Sequence, residues 1–80
     1  MSRSSALEKL TELTPSAKLV AKVLQHNDLL TQPELAEATL LPQRTIRSAL
    51  TQLQEQNLVD SQPSVIDARK QCYRLTFEWE

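Results

Sequence analysis

Apolar residues recur every three or four positions from Leu7 to Leu53 and alternate from Gln71 to Phe77. The chain therefore reads as helices first and strands last. Ser5-Ala6-Leu7-Glu8 has the form of a capping box, and Leu7, Leu10 and Leu13 then line one side of a short helix. Thr14 and Pro15 open a second helix, with proline where its missing N–H costs nothing. Leu19, Val20, Val23 and Leu24 give that helix its inward face, and the polar cluster His26-Asn27-Asp28 ends it. Leu29 and Leu30 predict a very short strand. Thr31-Gln32-Pro33-Glu34 is a second capping box, followed by a short helix with Leu35, Ala36 and Thr39 or Leu40 inward.

Leu41-Pro42 turns the chain, because proline drives the residue before it out of the helical region. The next helix runs from about Pro42 or Gln43 to Gln56. Ile46, Ala49, Leu50 and Leu53 make its apolar face, and Arg44, Arg47, Ser48, Thr51, Gln52 and Glu55 face the other way. Asn57, the non-glycine residue best suited to a left-handed cap, follows in a chain that has no glycine. Leu58 to Ser61 reads as a strand and Gln62 to Lys70 as a polar loop. Gln71 to Phe77 alternates, with Cys72, Arg74 and Thr76 on one face and Tyr73, Leu75 and Phe77 on the other.

Eighty residues make one domain, and 40% hydrophobic with 24% charged residues is an ordinary globular mixture. No apolar run is long enough to span a bilayer, so no membrane partner is expected. The single cysteine, Cys72, excludes an intrachain disulfide and reads as a packing residue of a cytoplasmic protein. The net charge of −1 provides no global basic field, but the charges are unevenly spread. Residues 1–41 carry four basic and five acidic side chains, and the tail adds Glu78 and Glu80. Residues 42–77 carry Arg44, Arg47, Arg69, Lys70 and Arg74 against Glu55, Asp60 and Asp67. The basic excess sits on the last helix and on the loop between the strands.

Helix, turn, amphipathic helix, strand, loop, strand is the order a winged helix-turn-helix needs to set one helix in a DNA groove and a β-loop beside it. Arg44 and Arg47 lie three apart on one side of the helix, where a guanidinium fork bonds guanine edges or clamps a phosphate. Gln43, Thr45, Ser48, Thr51 and Gln52 add candidate base or phosphate contacts. Asp67, Arg69 and Lys70 on the loop read as phosphate or minor-groove contacts, or as a charged hairpin tip that keeps an edge strand soluble. Catalysis has little footing. His26 is the only histidine, no metal-ligand cluster exists, and a glycine-free chain cannot form a glycine-rich phosphate loop. No enzyme activity, cofactor or metal is expected.

These residues resemble the DNA-binding domain of MarR-like transcription regulators, especially the small archaeal kind. The resemblance rests on Leu35-Ala36-Glu37, on Leu41-Pro42-Gln43-Arg44-Thr45-Ile46-Arg47, on Ala49-Leu50, Leu53 and Asn57-Leu58-Val59, and on Asp67-Ala68-Arg69-Lys70 followed by Tyr73-Arg74-Leu75. It covers roughly residues 15–76. It implies that the helix from Gln43 enters the major groove, that Arg69 reaches the minor groove or backbone, and that Asp67 orients it. The chain departs from the family where glycine is frequent, at Leu40 and Asn57, and the long flanking dimerisation helices are absent or reduced to residues 5–13.

The expected fold is α+β, a winged helix-turn-helix. It has three core helices, a small antiparallel sheet with its wing, and a short N-terminal helix in segment 1–14. The winged-helix domain takes residues 15–77 and the tail 78–80. The expected function is sequence-specific binding of double-stranded DNA as a transcription regulator, and the alternative is a protein–protein adaptor without DNA binding. The Leu7-Leu10-Leu13 stripe either folds back on its own domain or pairs with a second subunit. With Phe77 and Trp79 as the other wall, it suggests a homodimer interface. The sequence specifies no small-molecule effector.

Overall fold

The computed structural model describes residues 8–27 and 29–77. Helical residues 8–11 come first, followed by α1 (Pro15–Gln25), β1 (Leu30–Thr31), α2 (Gln32–Thr39), α3 (Gln43–Glu55), β2 (Val59–Pro63) and β3 (Gln71–Leu75). The fold class is the expected α+β winged helix. Ser5 to Leu7 of the first capping box, Asp28 and the tail with Trp79 lie outside the described residues.

Local hydrogen bonds set the helix boundaries. Thr14 Oγ1 accepts the Ala17 N–H at 3.3 Å and opens α1, with Pro15 in the first turn. Thr31 Oγ1 accepts the Glu34 N–H, and Glu34 Oε1 accepts the Thr31 N–H at 2.8 Å, so the predicted capping box closes at both ends. The Glu34 carboxyl is held below its ordinary value by the Thr31 backbone N–H, then by the Thr31 side chain, with Lys70 adding to both. Thr31 also pairs with Cys72 in the sheet, so β1 runs into α2 with no residue between them.

Two residues without glycine's freedom hold left-handed backbone, Leu40 at φ 61° and Asn57 at φ 59°. Both end helices. The Leu40 N–H bonds the Ala36 carbonyl at 2.8 Å. At the end of α3 the Asn57 N–H bonds Gln54 and the Leu58 N–H bonds Leu53, a complete Schellman closure. Thr76 then donates its hydroxyl to the Asn57 carbonyl and its N–H to the Leu58 carbonyl, tying the end of β3 to this cap.

The core is one cluster. Ile46, Ala49, Leu50 and Leu53 of α3 pack against Ala17, Val20, Ala21 and Leu24 of α1, with Leu35, Leu58, Val59 and Tyr73. The three strands are antiparallel in the order β1-β3-β2, so β3 is central, with Tyr73 opposite Leu30 on one side and Ser61 on the other. Thr39, a buried polar residue, donates its hydroxyl to the Leu35 carbonyl and accepts the Leu41 N–H, so the turn between α2 and α3 leaves it satisfied.

Several expectations are corrected. Leu19 is 40% exposed and lies outside the core, and Ala17 and Ala21 are fully buried in its stead where α1 packs on α3. The short strand begins at Leu30 rather than Leu29. β2 reaches Pro63, since Gln62 and Pro63 still face Cys72 and Gln71 across the hairpin. Of the pair Thr39 or Leu40, Thr39 turns inward and Leu40 is 89% exposed. Leu10 is 3% exposed within the single chain, and Leu13 and Phe77 pack partly against the same core. Leu10 is therefore part of the domain's own core and has no surface left for a partner. Lys9 Nζ reaches the Gln56 carbonyl at 3.4 Å and fastens the same segment to the end of α3.

Leu40→Gly should stabilise the domain. Left-handed backbone costs a residue with a Cβ about 1–2 kcal/mol, glycine's extra chain entropy returns part of that, and the exposed leucine side chain loses almost no burial. A net gain of about 0.5–1 kcal/mol is expected, read as a rise of several degrees in the thermal midpoint. An unchanged or lower midpoint would show that the leucine side chain stabilises the turn.

Candidate nucleic-acid interface

Burying one face of α3 leaves the other to solvent. Gln43, Arg44, Arg47, Ser48 and Thr51 are exposed along it, and the only acidic residue on the helix is Glu55, at its far end. Among the described residues, Arg44 and Arg47 have no hydrogen-bond or ion-pair partner for their side chains. Thr51 donates its hydroxyl to the Arg47 carbonyl at 2.9 Å, one turn back along the helix. The N-cap of α3 is Pro42, whose side chain bonds nothing, so no side chain blocks the positive end of this helix.

Two predicted members of this face stand apart from it. Gln52 is half-buried on the edge beside Ala49, and its Oε1 accepts the Thr14 hydroxyl at 3.1 Å. It faces α1, because the exposed arc of the helix is narrower than its polar arc. Thr45 is also half-buried on that edge.

The wing is the hairpin between β2 and β3. Its loop is organised by Ser64, whose hydroxyl accepts the N–H groups of Ile66 and Asp67, and whose own N–H bonds the Lys70 carbonyl at 2.9 Å. Asp67 Oδ1 accepts both the Arg69 backbone N–H at 3.0 Å and its Nε at 3.2 Å. The carboxylate thus aims the guanidinium while leaving it almost wholly in solvent. Arg69 pulls the Asp67 carboxyl below its ordinary value, first through its side chain and then through its backbone N–H. The wing tip carries two residues that the sequence reading passed over, Val65 and Ile66, 99% and 93% exposed. Their signal was present as two adjacent β-branched apolar residues inside a polar loop.

Helix and wing meet. Gln43 at the start of α3 shares an open cleft of about 310 Å³ with Arg69 and Lys70 at the foot of the wing. The start of α3 and the basic residues of the wing therefore border one cleft. Among the described residues no cluster of histidine, cysteine or acidic side chains could hold a metal ion, and no helix is long and apolar enough to cross a membrane.

The MarR family model matches residues 11–70, from before α1 through the wing. The chain belongs to the MarR family. Members of this family are transcription regulators rather than enzymes. Solved structures agree in fold. BpsR of Bordetella bronchiseptica, whose DNA binding is regulated by 6-hydroxynicotinic acid, superposes with a TM-score of 0.78 at 20% identity over 92% of this chain and 59% of its own. PcaV of Streptomyces coelicolor, a transcriptional regulator solved with its natural ligand, gives 0.77 at 28% identity over 81% of this chain and 46% of its own. ZitR of Lactococcus lactis gives 0.76 at 28% over 80% and 43%. The chain thus spans about half the length of the MarR-family structures it matches. No curated protein sequence matches it.

The Asp67–Arg69 contact sets a pH dependence in this MarR-family wing. A lowered carboxyl value means that the contact is fully present above the ordinary aspartate range and is lost as pH falls through the depressed value. The Arg69 Nε–H resonance should therefore stay fixed from neutrality down to about pH 4 and move only below it. A resonance that does not move at all, or that moves centred on the ordinary aspartate value of about 3.9, would show that the pair does not form in solution.

Proposed function

We propose that this MarR-family domain binds double-stranded DNA in a sequence-dependent way as a transcription regulator. In this reading the exposed face of α3 lies in the major groove and the wing flanks it at the minor groove or backbone. One observation carries the proposal. The solvent face of α3 presents Arg44 and Arg47 with no acidic side chain before Glu55, and Gln43 at its start shares a cleft with Arg69 and Lys70 of the wing. Phosphates attract the cations from any sequence, and the arginine forks and short polar side chains then read base edges. Ser48 and Thr51 are short enough to let the helix backbone come close. Gln52, held by Thr14, supports the helix and leaves reading to the others.

Fluorescence anisotropy on labelled duplex at several salt concentrations tests this. Affinity should fall with salt with a slope of about −0.9 per phosphate contact. Arg47→Ala should cost about 1–3 kcal/mol on a preferred site and relax preference at one position. Arg69→Ala should weaken binding to all sequences alike and flatten the slope by roughly one contact. Both side chains are exposed, so both variants should keep the wild-type circular dichroism spectrum.

The second reading is a protein adaptor. The exposed Val65 and Ile66 and the net charge of −1 favour it. Against it, the exposed large apolar residues among those described are Leu19, Leu29, Leu40, Val65 and Ile66, none of them on α3. Failure to bind any duplex at low salt selects the adaptor.

The proposal includes a cytoplasmic homodimer on a two-fold site, as is usual for MarR-family regulators. With Leu10 inside the core, its interface falls to Leu7 and Trp79 and to the half-buried edges of Leu13 and Phe77. Light scattering should give twice the chain mass, and Trp79→Ser together with Leu7→Glu should halve it. A wild-type monomer at high concentration would reduce the site to a single half.

A further inference from the structure

The cleft between α3 and the wing has a chemistry of its own. Gln32 and Pro33 of α2 form one wall, Gln43 a second, and Arg69, Lys70 and Tyr73 the third. No acidic side chain lines it. Glu34, the nearest carboxylate on α2, faces the neighbouring groove beneath the wing, where its own N-cap holds it. Its volume is about 310 Å³, roughly ten water molecules' share of the liquid.

Tyr73 is the key to this cleft. Its ring is in the core at 7% exposure, yet the residue lines the cleft. Gln32 Nε2 donates to its hydroxyl oxygen at 3.1 Å, across 41 residues of sequence. That bond uses the oxygen as an acceptor, so the phenolic proton remains to be given away. Among the described residues no acceptor takes it. The second N–H of the Gln32 amide, the Gln43 amide and the Lys70 ammonium are further donors on the same walls. The cleft therefore has donors on three sides and two cations, whose neighbouring carboxylates, Asp67 and Glu34, stand outside its lining.

We propose that this cleft seats one backbone phosphodiester, with Gln32 and Tyr73 as a neutral clip and Lys70 as its charge. This deepens the proposed function and rests on it. A helix in the major groove and a wing at the minor groove stand on opposite sides of the sugar–phosphate ridge that separates the two grooves. The ridge has to pass between Gln43 and the wing, where the cleft lies. The clip is held by the core through the Tyr73 ring, so the phosphate it grips fixes the register of the whole domain and adds no base preference.

Anisotropy with the full chain and a set of duplexes, each with one neutral methylphosphonate, tests the clip. Tyr73→Phe removes one hydroxyl and keeps the buried ring. It should weaken binding three- to tenfold for every sequence and leave the salt slope unchanged, because a neutral donor releases no counterion. Gln32→Ala should behave alike. Lys70→Ala should flatten the slope by about 0.9. On the duplex whose methylphosphonate replaces the seated phosphate, all three losses should disappear together. Tyr73→Phe that binds like wild type, or losses that persist on every methylphosphonate duplex, overturns the clip while DNA binding stands. Wild-type protein that ignores every duplex overturns both readings.

Discussion

Four side chains on one face of α3, Ile46, Ala49, Leu50 and Leu53, hold the remaining elements in place. α1 and α2 pack on them from two sides and β2 follows from the end of the same helix. Each large aliphatic group fully buried there contributes about 1.5–3 kcal/mol. The same burial decides what is left outside. A helix with so defined an apolar stripe has a defined solvent stripe, and Arg44 and Arg47 fall on it without any interaction of their own holding them there.

The parts of this architecture that were readable from the chain are those made by neighbours in sequence. The Thr31–Glu34 box, the proline start of α1 and the Asn57 cap each close through bonds spanning three to five residues, so the residue types announce them. What was not readable depends on distant partners. A row of three leucines does not say which body covers it, and the answer for Leu10 came from the core of its own domain. Gln52 looked like its exposed neighbours until Thr14, 38 residues away, claimed its carbonyl. Gln62 and Pro63 carry no strand signal, and only their register against Cys72 and Gln71 makes them β. The Gln32–Tyr73 bond has no local trace at all.

The wing shows a different economy. The Asp67–Arg69 contact is an exposed ion pair, and such pairs add little to stability. Its effect is directional. The two carboxylate oxygens accept from Nε and Nη2 and restrict a long side chain that would otherwise sweep a wide volume, at a position where no core packing could restrain it. Ser64 does the same for the loop backbone with a single hydroxyl.

Thr31 belongs to two elements at once. It pairs in the sheet with Cys72, whose strand continues into the wing, and it caps α2, whose other end turns directly into α3. No free segment separates β1 from α2, so the spacing of α3 and the wing is constrained through one residue, like the jaws of a caliper sharing one beam. On the proposed reading, a duplex of the wrong groove width meets a protein that cannot accommodate it, and the bending falls to the DNA. Base steps that the chain never touches would then be selected by how cheaply they deform.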